Sequence, residues 1–180
     1  MVFGYVGRFT GQEDVVWKTE GGTDMLAVLS LILAHDPPIN HTAVCNACGS
    51  GESPSTKGAA DWCAQFAGVG EVFVIHDCDK PGQAGATWIE SGNGKRRLGW
   101  ATAIAQHASV VRNVVLPYPI EEAHGKDVRD WIIERQQDGK TDVEIYAELL
   151  ALARSQSPIE RLAELAVASI ENETTSNGES

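Results

Sequence analysis

The chain has 180 residues, of which 43% are hydrophobic and 22% charged, and a formal net charge of −11. That is enough apolar content for a single core of ordinary size, whereas no apolar run reaches the roughly 18 residues a membrane span requires. The start, Met1-Val2-Phe3-Gly4-Tyr5, lacks a basic-then-apolar signal-peptide layout, so a cytoplasmic protein with reduced cysteines is expected, and the acidic balance excludes strong nonspecific attraction to a polyanion.

The predicted elements run in chain order as follows. Residues 1–13 contain an alternating, hairpin-like stretch, Phe3-Gly4-Tyr5-Val6-Gly7-Arg8-Phe9. Val15-Val16-Trp17-Lys18-Thr19 reads as a short strand that ends in Glu20-Gly21-Gly22-Thr23-Asp24. The glycines suit a tight strand-to-helix turn, and Thr23 or Asp24 can cap the helix carried by Met25, Leu26, Val28, Leu29, Ile32 and Leu33. After the Pro37-Pro38 breaker come a strand at Thr42–Cys45 and a helix near Lys57–Phe66. The apolar run Val72-Phe73-Val74-Ile75-His76 is a third strand, followed by Asp77-Cys78-Asp79-Lys80-Pro81-Gly82. A helix at about Gly99–His107 precedes a fourth strand, Val110–Leu116, which Pro117 and Pro119 break. Helices follow at about Val128–Gln137, Asp142–Arg154 and Pro158–Ile170, and residues 171–180 read as a disordered acidic tail. Strands alternating with helices predict an α/β fold of about four mostly parallel strands flanked by helices.

Three carboxylate-bearing segments stand at element ends. Asp77 and Asp79 follow a strand, where alternate side chains share a face, so both carboxylates are expected to point the same way. Open α/β sheets bind ligands at the carboxyl ends of their strands. Two hard oxygen donors there suit Mg²⁺ or Mn²⁺, which bind carboxylates and substrate phosphates together; the plainer reading is a solvated acidic turn. Glu20 occupies the same kind of strand end. Asp127 and Asp130, in Gly125-Lys126-Asp127-Val128-Arg129-Asp130-Trp131, open a helix after a loop.

In this order the segments resemble the Toprim signature. Glu20-Gly21-Gly22-Thr23-Asp24 is similar to its EGxxD element, and Asp77-Cys78-Asp79-Lys80-Pro81-Gly82 to its DxDxxG element. Lys126-Asp127-Val128-Arg129-Asp130-Trp131 resembles the KD-x-x-D-W element of primase-type Toprim domains. The resemblance covers about Val16 to Ile133 and implies a Rossmann-like Toprim domain over residues 14–137, with C-terminal helices over 138–170. The opening stretch resembles the end of the subdomain that precedes Toprim in primases, so residues 1–13 are expected to be a remnant of it. On that likeness the zinc-binding module and most of the basic subdomain of a primase are missing. Haloacid-dehalogenase-type phosphatases also carry DxD after a strand, but they need Thr or Val where Pro81 stands. No phosphate-binding P-loop occurs either, since Gly92-Asn93-Gly94-Lys95-Arg96 does not fit one.

The resemblance implies a primase-type nucleotidyl transferase of DNA replication that uses Mg²⁺ or Mn²⁺. The alternatives are a Toprim nuclease acting on the same site with water, and a noncatalytic module that binds nucleic acid or a partner. Its implied catalytic residues are Glu20, Asp77 and Asp79, and its implied metal ligands are these three with Asp127 and Asp130. Glu20 is either a ligand or a general base or acid, with its pKa raised by neighbouring carboxylates. Gly21, Gly22 and Gly82 shape the turns, and Asp24 is either an acid behind the metal or the helix cap, with the cap preferred. Lys126 either neutralises phosphate or pairs with a carboxylate of the cluster. Lys95-Arg96-Arg97 sits in a predicted loop and is either a solvated surface or a phosphate contact. Single-stranded DNA template, nucleotides and a helicase or other replication protein are the expected partners, and no membrane. Cys45-Asn46-Ala47-Cys48 has metal-ligand spacing, but a structural zinc needs four ligands and no second CxxC exists, so no zinc is expected. Cys78 should point to the core, opposite Asp77 and Asp79.

Overall fold

The computed structural model describes residues 2–4, 9–36, 38–46, 53–54, 59–90 and 96–160. In chain order the elements are β1 (Val2–Gly4), β2 (Val15–Thr19), α1 (Gly22–Leu33), β3 (His41–Asn46) and α2 (Ala59–Ala64), which a 3₁₀ turn at Gln65–Gly68 extends. Then come β4 (Glu71–Ile75), α3 (Lys80–Ala86), β5 (Trp88–Glu90), β6 (Arg96–Leu98), α4 (Trp100–Ile104), β7 (Val110–Val114), α5 (Val128–Gln137) and α6 (Asp142–Ser155).

Among the described residues the main sheet has five strands in the order β1-β3-β2-β4-β7. Four of them, β3, β2, β4 and β7, run parallel, and β1 pairs antiparallel on the β3 edge. The fold is the expected α/β arrangement of four parallel strands flanked by helices. Trp17 stands in register with Ala43 on one side and Phe73 on the other, so β2 is the central strand. The chain leaves β2 through α1 to β3 on one flank and returns to β4 on the other. The carboxyl ends of β2 and β4 therefore bound a topological switch point, where open α/β sheets form a ligand crevice.

Both faces of the sheet are covered, which is why Val15–Trp17 of β2 and Val72–Ile75 of β4 read as apolar runs. Val15, Trp17, Phe73 and Ile75 pack with α1, α5 and α6 on one face. Val16, Val44, Val72 and Val74 pack with Trp62, Phe66 and Trp100 on the other. Each fully buried aliphatic side chain contributes about 1.5–3 kcal/mol. Two polar ties, the first of them buried, hold layers in place. Trp17 Nε1 donates to the Tyr146 hydroxyl at 3.0 Å, linking β2 to α6. Arg112 and Arg154 both reach Glu71, at 2.7 and 2.8 Å, joining β7 and α6 to the start of β4.

Several expectations change. β1 joins the main sheet through β3; the rest of the expected hairpin, residues 5–8, lies outside the described residues, as do Cys48, Lys95 and the tail. α3 and the β5–β6 hairpin were not expected. Arg96 and Arg97 lie in β6 rather than in a loop. Pro158, expected to open a helix, instead forms an antiparallel bridge with Arg112, because the Ile159 N–H donates to the Val111 carbonyl at 2.8 Å.

Candidate metal centre

Glu20 stands one residue past β2, and Asp77 two residues past β4. The Asp77 backbone N–H donates to Glu20 Oε2 at 3.4 Å, so the ends of these adjacent strands meet as the sequence predicts. The third contributor comes from far along the chain. The segment before α5 is laid onto the Asp77-Cys78-Asp79 backbone: Cys78 N–H donates to the Lys126 carbonyl at 2.8 Å, Glu121 N–H to the Cys78 carbonyl at 2.9 Å, and Lys80 N–H to the Glu121 carbonyl at 2.9 Å. This zipper brings the N-terminus of α5 to the site.

Carboxylate oxygens of Asp24, Asp77 and Asp127 lie within 4.8 Å of one another. Asp24 was preferred as a helix cap, and that preference is corrected here. The N-cap of α1 is Gly21, without a side-chain cap, so α1 begins three residues earlier than a cap at Asp24 implies. Asp24 then falls in the first turn of α1 and turns inward, only 7% exposed. Asp127 is the N-cap of α5, accepting from the backbone N–H groups of Arg129 and Asp130 at 2.7 and 3.1 Å. Helix N-termini favour negative charge, so α1 and α5 both support carboxylates here.

Asp79 and Asp130 take other places. The expectation that Asp77 and Asp79 share one strand face does not hold, because β4 ends at Ile75 and the motif lies in a loop. Asp79 caps α3, whose first turn carries Pro81: its Oδ1 accepts from Gly82 N–H at 2.8 Å and its Oδ2 from Gly125 N–H at 3.3 Å. Asp130 completes a capping box, its Oδ2 accepting from Asp127 N–H at 3.1 Å. Neither belongs to the close trio. Cys78 is fully buried in the core on the α1–α5 face, as expected. Lys126 is exposed and pairs with Glu134 at 2.5 Å, its ammonium 4.7 Å from the Tyr118 ring centroid, rather than with a carboxylate of the trio. Arg97 is exposed on β6.

Around the Asp77-Cys78-Asp79 loop, Gly82 and Gly125 are required by close approach. A Cβ at Gly82 would stand 2.6 Å from the Asp77 carbonyl oxygen, and one at Gly125 would stand 2.1 Å from the Cys78 carbonyl oxygen. Gly22, by contrast, has only the Cys45 sulfur at 4.0 Å, and Gly21 only an Asp24 oxygen at 3.7 Å.

Burial, with crowding second, raises the proton affinity of Asp77, Asp24 and Glu20. Burial, then the charges of Glu20, Asp24 and Asp127, push Asp77 up to about 7. Burial and the Asp127 charge push Asp24 up to about 6, against the pull of Arg129. Glu20 is raised too, but mainly by burial; Asp79 is the smallest of its causes, so neighbouring carboxylates are not the chief reason.

Three residues that the sequence reading passed over shape the site. Arg129, in the first turn of α5, lies with Nε 2.8 Å from Asp24 Oδ1, while that N–H is directed to Asp127 Oδ2 at 3.0 Å. Its Nη2 also bonds Asp127 Oδ2. Lys18 and His76 lie behind Glu20, both buried, with Lys18 Nζ 2.7 Å from His76 Nε2. His76 Nδ1 donates to the Gly82 carbonyl at 3.1 Å and stands 3.6 Å from Glu20 Oε2, which ties the first turn of α3 to the strand end bearing Glu20. Burial and Lys18 hold the imidazole neutral, its pKa well below the ordinary value. The available signal was a lysine inside an apolar strand and a histidine at the end of another.

The trio suits a hard divalent cation. All three donors are carboxylate oxygens, and buried Asp24 Oδ1 has no directed hydrogen bond, only the Arg129 guanidinium 2.8 Å away. Among the described residues no helix is long and apolar enough to cross a membrane.

No protein-family model matches this chain, and no curated protein matches it. Among solved structures it is similar to a chain of an assembly of bacteriophage T7 lagging-strand DNA polymerase with the primase domains of two gp4 subunits, bound to an RNA/DNA hybrid and dTTP. The two share 18% identity with a TM-score of 0.47, over 83% of this chain and 58% of that one.

Proposed function

We propose that this chain is a Toprim domain of the primase type, which joins nucleotides at a divalent-metal site. The observation that carries the reading is the meeting of Asp24, Asp77 and Asp127 within 4.8 Å at the sheet's switch point. These residues come from three separate segments, each similar to one element of the Toprim signature, and in the same order. Asp24, Asp77 and Asp127 would hold Mg²⁺ or Mn²⁺, with Glu20 and Asp79 beside them. When bound, the cation supplies charge stabilisation for the phosphates and for the attacking and leaving oxygens.

The remaining roles fall to the chain's own groups. Glu20, partly buried and with a raised pKa, is placed to take a proton from an attacking hydroxyl. Asp79 fixes α3 and the loop before α5, and so sets the position of Asp77. Arg97, with Arg96 and Lys95 beside it in sequence, offers the phosphate contacts for a template strand. With a net charge of −11 the chain holds single-stranded DNA poorly by itself, so a helicase or another replication protein supplies the template groove.

The test is an assay with Mn²⁺, ribonucleotides and single-stranded template. Little synthesis is expected from the chain alone, because positioning contributes about 7–11 kcal/mol to such reactions. Synthesis should appear with the replication partner and vanish in Asp77→Asn. Metal-dependent cutting of the template, lost in Glu20→Gln, would replace this reading with a nuclease. The absence of Mn²⁺ binding, synthesis and cutting together would overturn it.

A further inference from the structure

We infer that Arg129 is a tethered counterion for the carboxylate trio: it holds Asp24 and Asp127 together in the metal-free chain and gives way when a divalent cation binds. The inference rests on reading the trio as a metal centre.

Its position is the first observation. Arg129 is the second residue of α5, in a first turn where the helix macrodipole disfavours a cation. A positive side chain is stable there because carboxylates surround it. The guanidinium bridges two elements, lying 2.8 Å from Asp24 of α1 and bonding Asp127 of α5 through both Nε and Nη2.

The shared atoms are the second observation. Asp127 Oδ1 is taken by backbone N–H groups, so Oδ2 is its oxygen free of the backbone, and Arg129 uses that oxygen. Asp24 Oδ1, which Arg129 faces without a directed hydrogen bond, is the buried orphan acceptor. A cation coordinated by the trio would use these same atoms and repel the guanidinium. Displacement is feasible because the Arg129 side chain is 46% exposed and need only swing into water. An arginine that merely pinned α1 to α5 would contribute to stability but would not oppose metal.

The two roles give opposite signs in a Mn²⁺ titration of the full chain by calorimetry. As a counterion, Arg129→Gln should bind Mn²⁺ about tenfold tighter than wild type, since the ion no longer has to displace a cation paired with Asp24 and Asp127. Arg129→Lys, which keeps the charge, should stay near wild type. Metal-free Arg129→Gln should melt at lower temperature than wild type, and saturating Mn²⁺ should close the gap. Unchanged or weaker Mn²⁺ affinity in Arg129→Gln, with wild-type binding still abolished by Asp77→Asn, would overturn the counterion role and leave the metal centre standing. No Mn²⁺ binding by any form would overturn both. Should Arg129→Gln fail to fold, wild type decides alone: the Arg129 Nε–H signal in nitrogen-detected magnetic resonance should shift on adding Mg²⁺, and an unmoved signal at saturating Mg²⁺ would refute the displacement.

Discussion

Gly125 lies against Cys78 so closely that a methyl group at Gly125 would stand 2.1 Å from the Cys78 carbonyl oxygen. This contact locks the segment before α5 onto the loop after β4, and it determines where Asp127 meets Asp77. Gly125→Ala must push two backbone segments apart. A stability loss of about 1–3 kcal/mol is expected from the overpacking, read by urea denaturation. Mn²⁺ affinity should fall with it, because Asp127 moves while no ligand is lost. Wild-type affinity in Gly125→Ala would mean that Asp127 is positioned some other way.

Asp77 and Asp24 should favour the metal-free fold more at pH 5 than at pH 8, while buried neutral His76 acts in the opposite sense, so the comparison of wild type with Asp77→Asn isolates the aspartate contribution. Asp77 and Asp24 are raised in the folded state to about 7 and about 6, from the model-compound value of 3.8. At these two groups the folded state therefore binds more protons than the unfolded chain between those limits, and their contribution to stability falls as pH rises through them. The contribution is full below about pH 4 and gone above about pH 7. Asp77→Asn should flatten this slope. Excess Mg²⁺ should offset it at pH 8 by binding only the folded state. Melting temperatures from pH 5 to 8, with and without Mg²⁺, give the comparison; a slope of opposite sign that Asp77→Asn leaves untouched would contradict the crowding.

Asp79 and Asp77 should separate by substitution although they belong to one motif. Asp79→Ala removes the cap of α3 and should cost about 0.5–2 kcal/mol. Asp79→Asn keeps an acceptor for Gly82 N–H and should retain most of that stability. Mn²⁺ affinity should fall much further in Asp77→Asn than in Asp79→Asn. Equal losses in the two would place Asp79 in the metal's own ligand set.

Tyr146→Phe should destabilise by about 1–3 kcal/mol, since it leaves the buried Trp17 indole N–H without its acceptor. His41 Nδ1, 2.7 Å from the same hydroxyl, also loses its partner. Denaturation midpoints would report this. A change below about 0.3 kcal/mol would mean that water replaces the hydroxyl.

The elements most legible in the sequence are those with the strongest pattern. β2 and β4 are apolar because both their faces are covered, and α5 and α6 carry capping boxes at Asp127 and Thr141 that mark their starts. α3 was hidden because Pro81, Gly82 and Gly85 are poor helix formers; its real signal was Asp79 as cap with Pro81 in the first turn. The β5–β6 hairpin was hidden because its strands have three residues each, too few for a period to show. In the site, the motifs brought Glu20, Asp77 and Asp127 to notice. The division of labour between Asp77 and Asp79 was not legible, because it depends on β4 ending at Ile75. Arg129 was missed because a charged residue in a helix's first turn reads as surface until Asp24 is known to face it.

The trio draws its members from three distant stretches of chain, and that would couple any ion it holds to folding itself. No peptide spanning one stretch contains all three carboxylates, and no partly formed sheet gathers them until α1, β4 and the segment before α5 have all docked. Such nonlocal pairings close late and slowly. Divalent cation should therefore slow unfolding while leaving early folding steps untouched, so bound metal is a timer for completion of the last native contact.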